Sequence, residues 1–308
     1  MTSSTEDGGG SNGPRLDLGD KPDLEPPQPA GCKGKIDFLF VISSGGFVEG
    51  MQEQLIDAFP KFIETIQAKF ADFDYHILVT DGRADYWGSP YCTKACPMHP
   101  DPACVGYPCD LLDLAGPCET TWGAGNVFNV GQYTMNKPCD VAGGKRYVTR
   151  EQPQLAETFE CIARVGAAGA DLLGYTLVKA ISPEFEGPGG CNEGFLRDDA
   201  LLVVTLLSDT YDAFSQGTVE SWIAALREAK HGDEDAFAVL VLTTDIDVGY
   251  WQLCHPDEYS MVKNRLRLLV EGIEHGFIGS ICEETYTPFF AATVAEVVEL
   301  CDGLVIPQ

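Results

Sequence analysis

Residues 35–47 read KIDFLFVISSGGF. An apolar run too short to span a membrane stops abruptly at small polar residues. This is how a parallel strand buried on both faces reads when it delivers polar side chains to the carboxyl edge of a sheet, where open α/β folds place their ligands. The pattern returns at residues 200–209, ALLVVTLLSD, which end on Ser208 and Asp209.

Working outward, helical spacing follows the first run. Met51, Leu55, Phe59, Phe62, Ile66 and Phe70 form an apolar stripe that Ile63 widens, as in a helix lying on a sheet. Pro60 falls inside it and is expected to kink or divide the helix. Residues 75–80 make a second strand closing at Asp81 and Gly82. Helices follow at about 153–165 and 170–181, then a loop at Gly187–Gly190. After the 200–207 strand come a helix at 217–230, a strand at 236–242, a loop containing Cys254, a helix at 258–273, a strand at 277–281 and a helix at 288–301. Strands alternating with helices predict an α/β fold, a doubly wound, mostly parallel sheet flanked by helices in the Rossmann-like manner.

Two stretches break the alternation. Residues 1–30 are rich in Pro, Gly, Ser and acidic residues with no apolar period, and read as a disordered tether. The domain proper is 31–308, interrupted at 83–150 by an insertion that carries six cysteines and little periodic apolar sequence. A loop of that length needs staples of its own. Residues 143–148 are expected to return to the sheet as a short edge strand.

The twelve cysteines are Cys32, Cys92, Cys96, Cys104, Cys109, Cys118, Cys139, Cys161, Cys191, Cys254, Cys282 and Cys301. A zinc reading would want clean CxxC pairs or clustered histidines. Instead the spacings are Cys92-x3-Cys96 and Cys104-x4-Cys109, and the five histidines are scattered. An even count in a chain with these spacings favours disulfides and a secreted protein. The net charge of −27, from 47 acidic against 20 basic residues, repels phosphate backbones and anionic lipid, which excludes nucleic acid as a partner. The sequence contains no transmembrane segment. Its Ser/Gly/acidic start is that of a mature surface lipoprotein after its lipidated Cys, so a lipid anchor in the precursor is one expectation.

In order and spacing, residues 35–41, 75–81, 159–166, 192–200 and 279–282 resemble the von Willebrand factor type A (VWA) domain. More narrowly they resemble cysteine-rich VWA-like proteins of Gram-negative, myxobacterial-type bacteria, many of them surface lipoproteins. That family builds a metal-ion-dependent adhesion site from an Asp-x-Ser-x-Ser loop, a threonine and a second Asp. The resemblance puts the first Asp at Ser43, the serines at Gly45 and Phe47, the threonine at Ala167 and the second Asp at Asp209. The implied site is degenerate. Ser43, Asp209 and Asp212 are its candidate metal residues, with Ser208 and Ser215 in the same strand-to-helix loop as Asp209 and Asp81 expected close by on the adjacent strand. Such an oxygen set suits Ca²⁺ better than Mg²⁺, and the expectation is that no cofactor is held. Asp212 and Ser215 are alternatively caps for the 217–230 helix.

Catalysis finds less support. There is no Gly-x-Ser-x-Gly elbow and no phosphate loop. Ser43 or Ser44 would need a histidine such as His255 or His275 to act as a nucleophile. The expected function is therefore non-enzymatic: extracellular or cell-surface binding to a protein or glycan, or self-assembly. The alternatives are a Ca²⁺-dependent adhesin using Asp209 and a secreted hydrolase. In the insertion, Tyr86, Trp87, Tyr91, Tyr107 and Trp122 are the candidate binding surface, or else a small stapled core.

Overall fold

In the computed structural model, residues 31–45, 49–70, 72–82, 109–131, 133–167, 171–244 and 263–304 are described. Residues 1–30, Tyr86, Trp87, Tyr91, Tyr107, Cys92, Cys96, Cys104, Cys254 and His255 lie outside them, as does the side chain of Cys109.

The first run forms β1 (Lys35–Ile42) and the second forms β6 (Leu201–Leu207). With β2 (Asp74–Asp81), β5 (Val148–Thr149), β7 (Phe237–Thr243) and β8 (Gly276–Ser280), they build a six-stranded sheet of order β5-β2-β1-β6-β7-β8. All pairings are parallel except that of the edge strand β5 with β2. The insertion adds a two-stranded ribbon, β3 (Phe128–Asn129) with β4 (Lys137–Pro138).

Helices cover both faces. On one lie α1 (Glu49–Gln67), α2 (Leu155–Ala163) and α7 (Thr287–Gly303); on the other lie α3 (Leu173–Ala180), α5 (Val219–Ala229) and α6 (Arg265–Glu271). A short α4 (Pro183–Glu186) follows α3. Alternate β1 residues divide between the two cores, Phe38 and Phe40 facing α1, and Leu39 and Val41 facing α3 and α5. This period of two explains why the strand reads as continuously apolar. Phe40, Phe59 and Phe159 join β1, α1 and α2, with Phe59 stacked on Phe159 at 3.5 Å between centroids.

Two local expectations shift. Pro60 does not divide α1, which is continuous across it. Phe59, Phe62 and Ile63 are buried on either side of the proline, and anchoring both halves on one sheet outweighs the roughly 3 kcal/mol that an interior proline costs. The insertion returns to the sheet at Val148 and Thr149, slightly later than its sequence suggests and antiparallel, pairing with Ile77 and His76.

Disulfides Cys118–Cys191 and Cys139–Cys161 fasten the insertion to the loop after α4 and to α2. Cys32–Cys301 fastens the start of β1 to α7 across 269 residues, Cys282 is also bonded, and no described cysteine is free. Beside Cys32–Cys301, backbone bonds run from Cys32 N to Cys301 O (2.6 Å) and from Gly31 N to Leu304 O (3.0 Å). Replacing Cys32 and Cys301 together with Ala should lower the unfolding free energy by about 3–5 kcal/mol in urea, because that bond closes a very long loop. A loss under about 1 kcal/mol would show that packing and backbone bonds hold α7 alone.

Candidate functional site

Register brings three strand ends together. Ile42 lies opposite Asp81 on one side and Leu207 on the other. Ser43 and Ser44 therefore emerge between the ends of β2 and β6, and Ser43 N donates to Leu207 O (2.8 Å) while Gly82 N donates to Ile42 O (3.0 Å). A fourth piece comes from the loop before α3, where Leu172 N donates to Gly82 O (2.9 Å) and so lays Asp171 over the end of β2.

Asp171 completes the cluster. Its Oδ2 is hydrogen-bonded to Ser43 Oγ, and its Oδ1 accepts from Ser44 N (3.0 Å) and Ser44 Oγ (3.2 Å). Ser43 Oγ also lies 3.0 Å from Asp209 Oδ1 and accepts from Gly45 N (3.0 Å). From α1, Gln52 Nε2 bridges Ser43 O (3.0 Å) and Gly166 O (2.9 Å), binding the first loop to the one before α3. Ser43 is 0 % exposed, Asp171 2 % and Asp209 5 %.

Two glycines make room for the carboxylates. A Cβ on Gly45 would lie 2.6 Å from Asp209 Oδ1, and one on Gly82 would lie 2.9 Å from Asp171 Cβ and Oδ1. Gly45, which supplies no side-chain oxygen of its own, is the space that Asp209 occupies.

The proton count sets the chemistry. Ser43 has one hydroxyl hydrogen and a carboxylate oxygen on either side, so it can donate to only one. The other contact needs a proton on the carboxyl or a cation between the groups. Burial pushes the Asp171 carboxyl up to about 7; the nearby Asp209 charge adds to this, and the bonds from Ser43 and Ser44 oppose it. A protonated Asp171 donating to Ser43 Oγ, with Ser43 donating to Asp209, satisfies every hydrogen bond. Two carboxylates and two hydroxyls are also the hard oxygen set that Ca²⁺ or Mg²⁺ takes; here they are bonded to one another, so a cation competes with those hydrogen bonds and, below about pH 7, with the proton on Asp171.

Asp212 does other work. Its Oδ2 accepts from Gly174 N (2.9 Å) and its Oδ1 from Ser215 Oγ (2.7 Å), while Ser215 Oγ accepts from Tyr175 N (3.1 Å). The pair caps α3, not the helix that follows it in sequence; α5 is capped by Thr218, whose Oγ1 accepts from Ser221 N. Ser208 Oγ is bonded within its own turn, to Thr210. Trp122 sits edge-on to Tyr175 (6.0 Å), with its indole nitrogen enclosed. That ring holds the insertion against α3. His275 precedes β8, at the opposite edge of the sheet from Ser43.

Asp171 and Gln52 escape sequence reasoning. The available signals are faint: a carboxylate directly after the Gly/Ala-rich residues 165–170, and a polar residue on the apolar side of α1 beside Met51.

No protein-family profile matches the chain, and no curated protein matches it. Among solved structures it is similar to proximal thread matrix protein 1 of the mussel byssus, at 12% identity and a TM-score of 0.39, covering 88% of this chain and 47% of that one. A second crystal form of the same protein gives 10%, 0.38, 88% and 49%. The chain thus spans about half the length of the structures it matches.

The Asp171 proton makes stability depend on pH. Its folded value lies above its unfolded one, so the stabilisation is complete below about 4 and is lost progressively as pH rises through about 7. Asp37 and Glu186, also raised by burial to about 7 and about 8, titrate in the same range, so the comparison must be with Asp171→Asn. Between pH 4.5 and 7.5 the wild type should lose about 2–4 kcal/mol more than that variant in denaturant titrations. Parallel curves would show that Asp171 is ionised throughout.

Proposed function

We propose that this chain is a non-enzymatic extracellular or cell-surface protein that works by binding or assembly, on a doubly wound VWA-like domain whose adhesion-type site is closed by a shared proton. The observation that carries the reading is the burial and mutual bonding of Ser43, Asp171 and Asp209. A nucleophile needs an open face from which to reach its substrate, and Ser43 is fully buried. It is enclosed between two carboxylates, and the resulting network ties three loops together. Disulfides throughout the described residues support an oxidising compartment. No helix among those residues is long and apolar enough to cross a membrane.

A second reading rests on Asp171. It returns to the cluster the negative charge that Ser43 lacks, so a Ca²⁺-dependent binding protein is the alternative, with Ser43, Ser44, Asp171 and Asp209 holding the ion. Two experiments decide. Incubation with ester, amide and glycoside substrate panels should give no turnover that Ser43→Ala removes; such turnover would install the hydrolase reading. Millimolar Ca²⁺ or Mg²⁺ added to EDTA-treated protein should leave the melting temperature unchanged within about 1 °C at pH 6 and pH 8, since a ligand of the native state alone must raise it. A rise at pH 8, absent in Asp171→Asn and Asp209→Ala, would establish the cation-dependent reading instead.

A further inference from the structure

At the other edge of the sheet, three side chains meet that belong to no network described so far. Asp235 stands in the turn just before β7, and Glu274 and His275 stand just before β8. One nitrogen or oxygen from each lies within 4.8 Å of the others. We propose that Asp235, Glu274 and His275 form a binding site for a divalent transition-metal ion such as Zn²⁺.

The backbone fixes two of the three. His275 O accepts from Val239 N (3.0 Å), so the residue is already part of the β7–β8 ladder, and buried Ile273 anchors the chain just before it. Asp235 N donates to Asp233 Oδ1 (3.0 Å) in a tight turn that leads directly into β7. The His275 ring is 14 % exposed, and its Nε2 lies 3.0 Å from Asp235 Oδ1. A tetrahedral ion with metal–ligand distances of about 2.0–2.2 Å holds its donors about 3.3–3.5 Å apart. The His275–Asp235 pair needs almost no movement to reach that spacing. Glu274 is exposed and can close the remainder by side-chain rotation.

The donor types select the ion. One imidazole with two carboxylates suits Zn²⁺ and its first-row neighbours, whereas Ca²⁺ and Mg²⁺ prefer oxygen alone. Three protein ligands on a surface leave a coordination position for water or for a donor from another molecule. The strong negative charge of the chain raises the local concentration of any divalent cation. This inference is independent of the state of the Asp171 cluster, since β7 alone separates the two edges by about 20 Å at the rise of a strand.

The test is calorimetric titration of the intact, oxidised protein, after EDTA treatment and dialysis, with ZnCl2. The wild type should show one more Zn²⁺ equivalent of micromolar affinity than His275→Ala, and Asp235→Asn should weaken that equivalent at least tenfold. Asp209→Ala should retain it in full. Ring ¹⁵N shifts of His275 should move on adding Zn²⁺, which a mere ion pair with Asp235 would not produce. Identical isotherms for wild type and His275→Ala, or no binding below millimolar Zn²⁺, would overturn the proposal and leave the group a surface ion pair.

Discussion

A parallel sheet buried on both faces can place polar groups only at its two edges, and that constraint organises this molecule. β1, β6 and β7 are apolar almost throughout because each face of the sheet carries helices. What polarity the strands need is pushed to their ends. At the carboxyl edge it becomes the Ser43–Asp171–Asp209 cluster. At the amino edge, buried Asp37 accepts from Arg197 N (2.7 Å) and Nε (2.8 Å), and Lys230 Nζ donates to Arg197 O and Ala200 O. His76, its ring held well below its ordinary value by burial at about 4, donates from Nδ1 to Phe195 O (2.7 Å).

The two edges solve the same electrostatic problem differently. At Asp37 a guanidinium supplies the countercharge, and removing one partner would leave the other buried and unpaired. At Asp171 no cation among the described residues reaches the carboxyl; burial instead raises it to about 7, which favours its protonated form below neutral pH. Burial raises carboxyls at both ends, Asp171 to about 7 and Asp37 and Glu186 to about 7 and about 8, so pH acts on both, but only Asp37 keeps a fixed countercharge beside it. The proton on Asp171 separates a closed structural cluster from a cation site made of identical atoms.

The insertion belongs to this architecture, not beside it. Its two described disulfides reach out to the core, and Arg146 bridges Gly125 O (2.8 Å) and Glu119 Oε1 (2.7 Å) within it. Asn192 receives Gly125 N and donates to Gly123 O and Ala180 O, fixing the insertion against α3. Trp122 takes part in that seam. An aromatic ring in a cysteine-rich segment is thus as much a fastening as a candidate contact, and spacing alone does not separate the two roles.

The alternation of apolar strands and striped helices was legible in the sequence because periods of 2 and 3.6 are local properties of the chain. Within a few residues, that reading located β1, β2, β6, β7, β8 and the main helices except α6, which begins at Arg265 behind an Asn264 cap and not at 258, and the cysteine spacing favoured disulfides over zinc. It also found Ser43 and Asp209, which stand at the ends of strands it could see. Asp171 and Gln52 were decided only by the tertiary structure, because Ser43 and Asp171 lie 128 residues apart and meet through strand register and loop packing. The role of Asp212 was decided the same way: its local context suggests a cap for the next helix, and the fold turns it onto α3. Which carboxylates meet, and hence whether a proton or a cation must join them, depends on distances that no local pattern encodes.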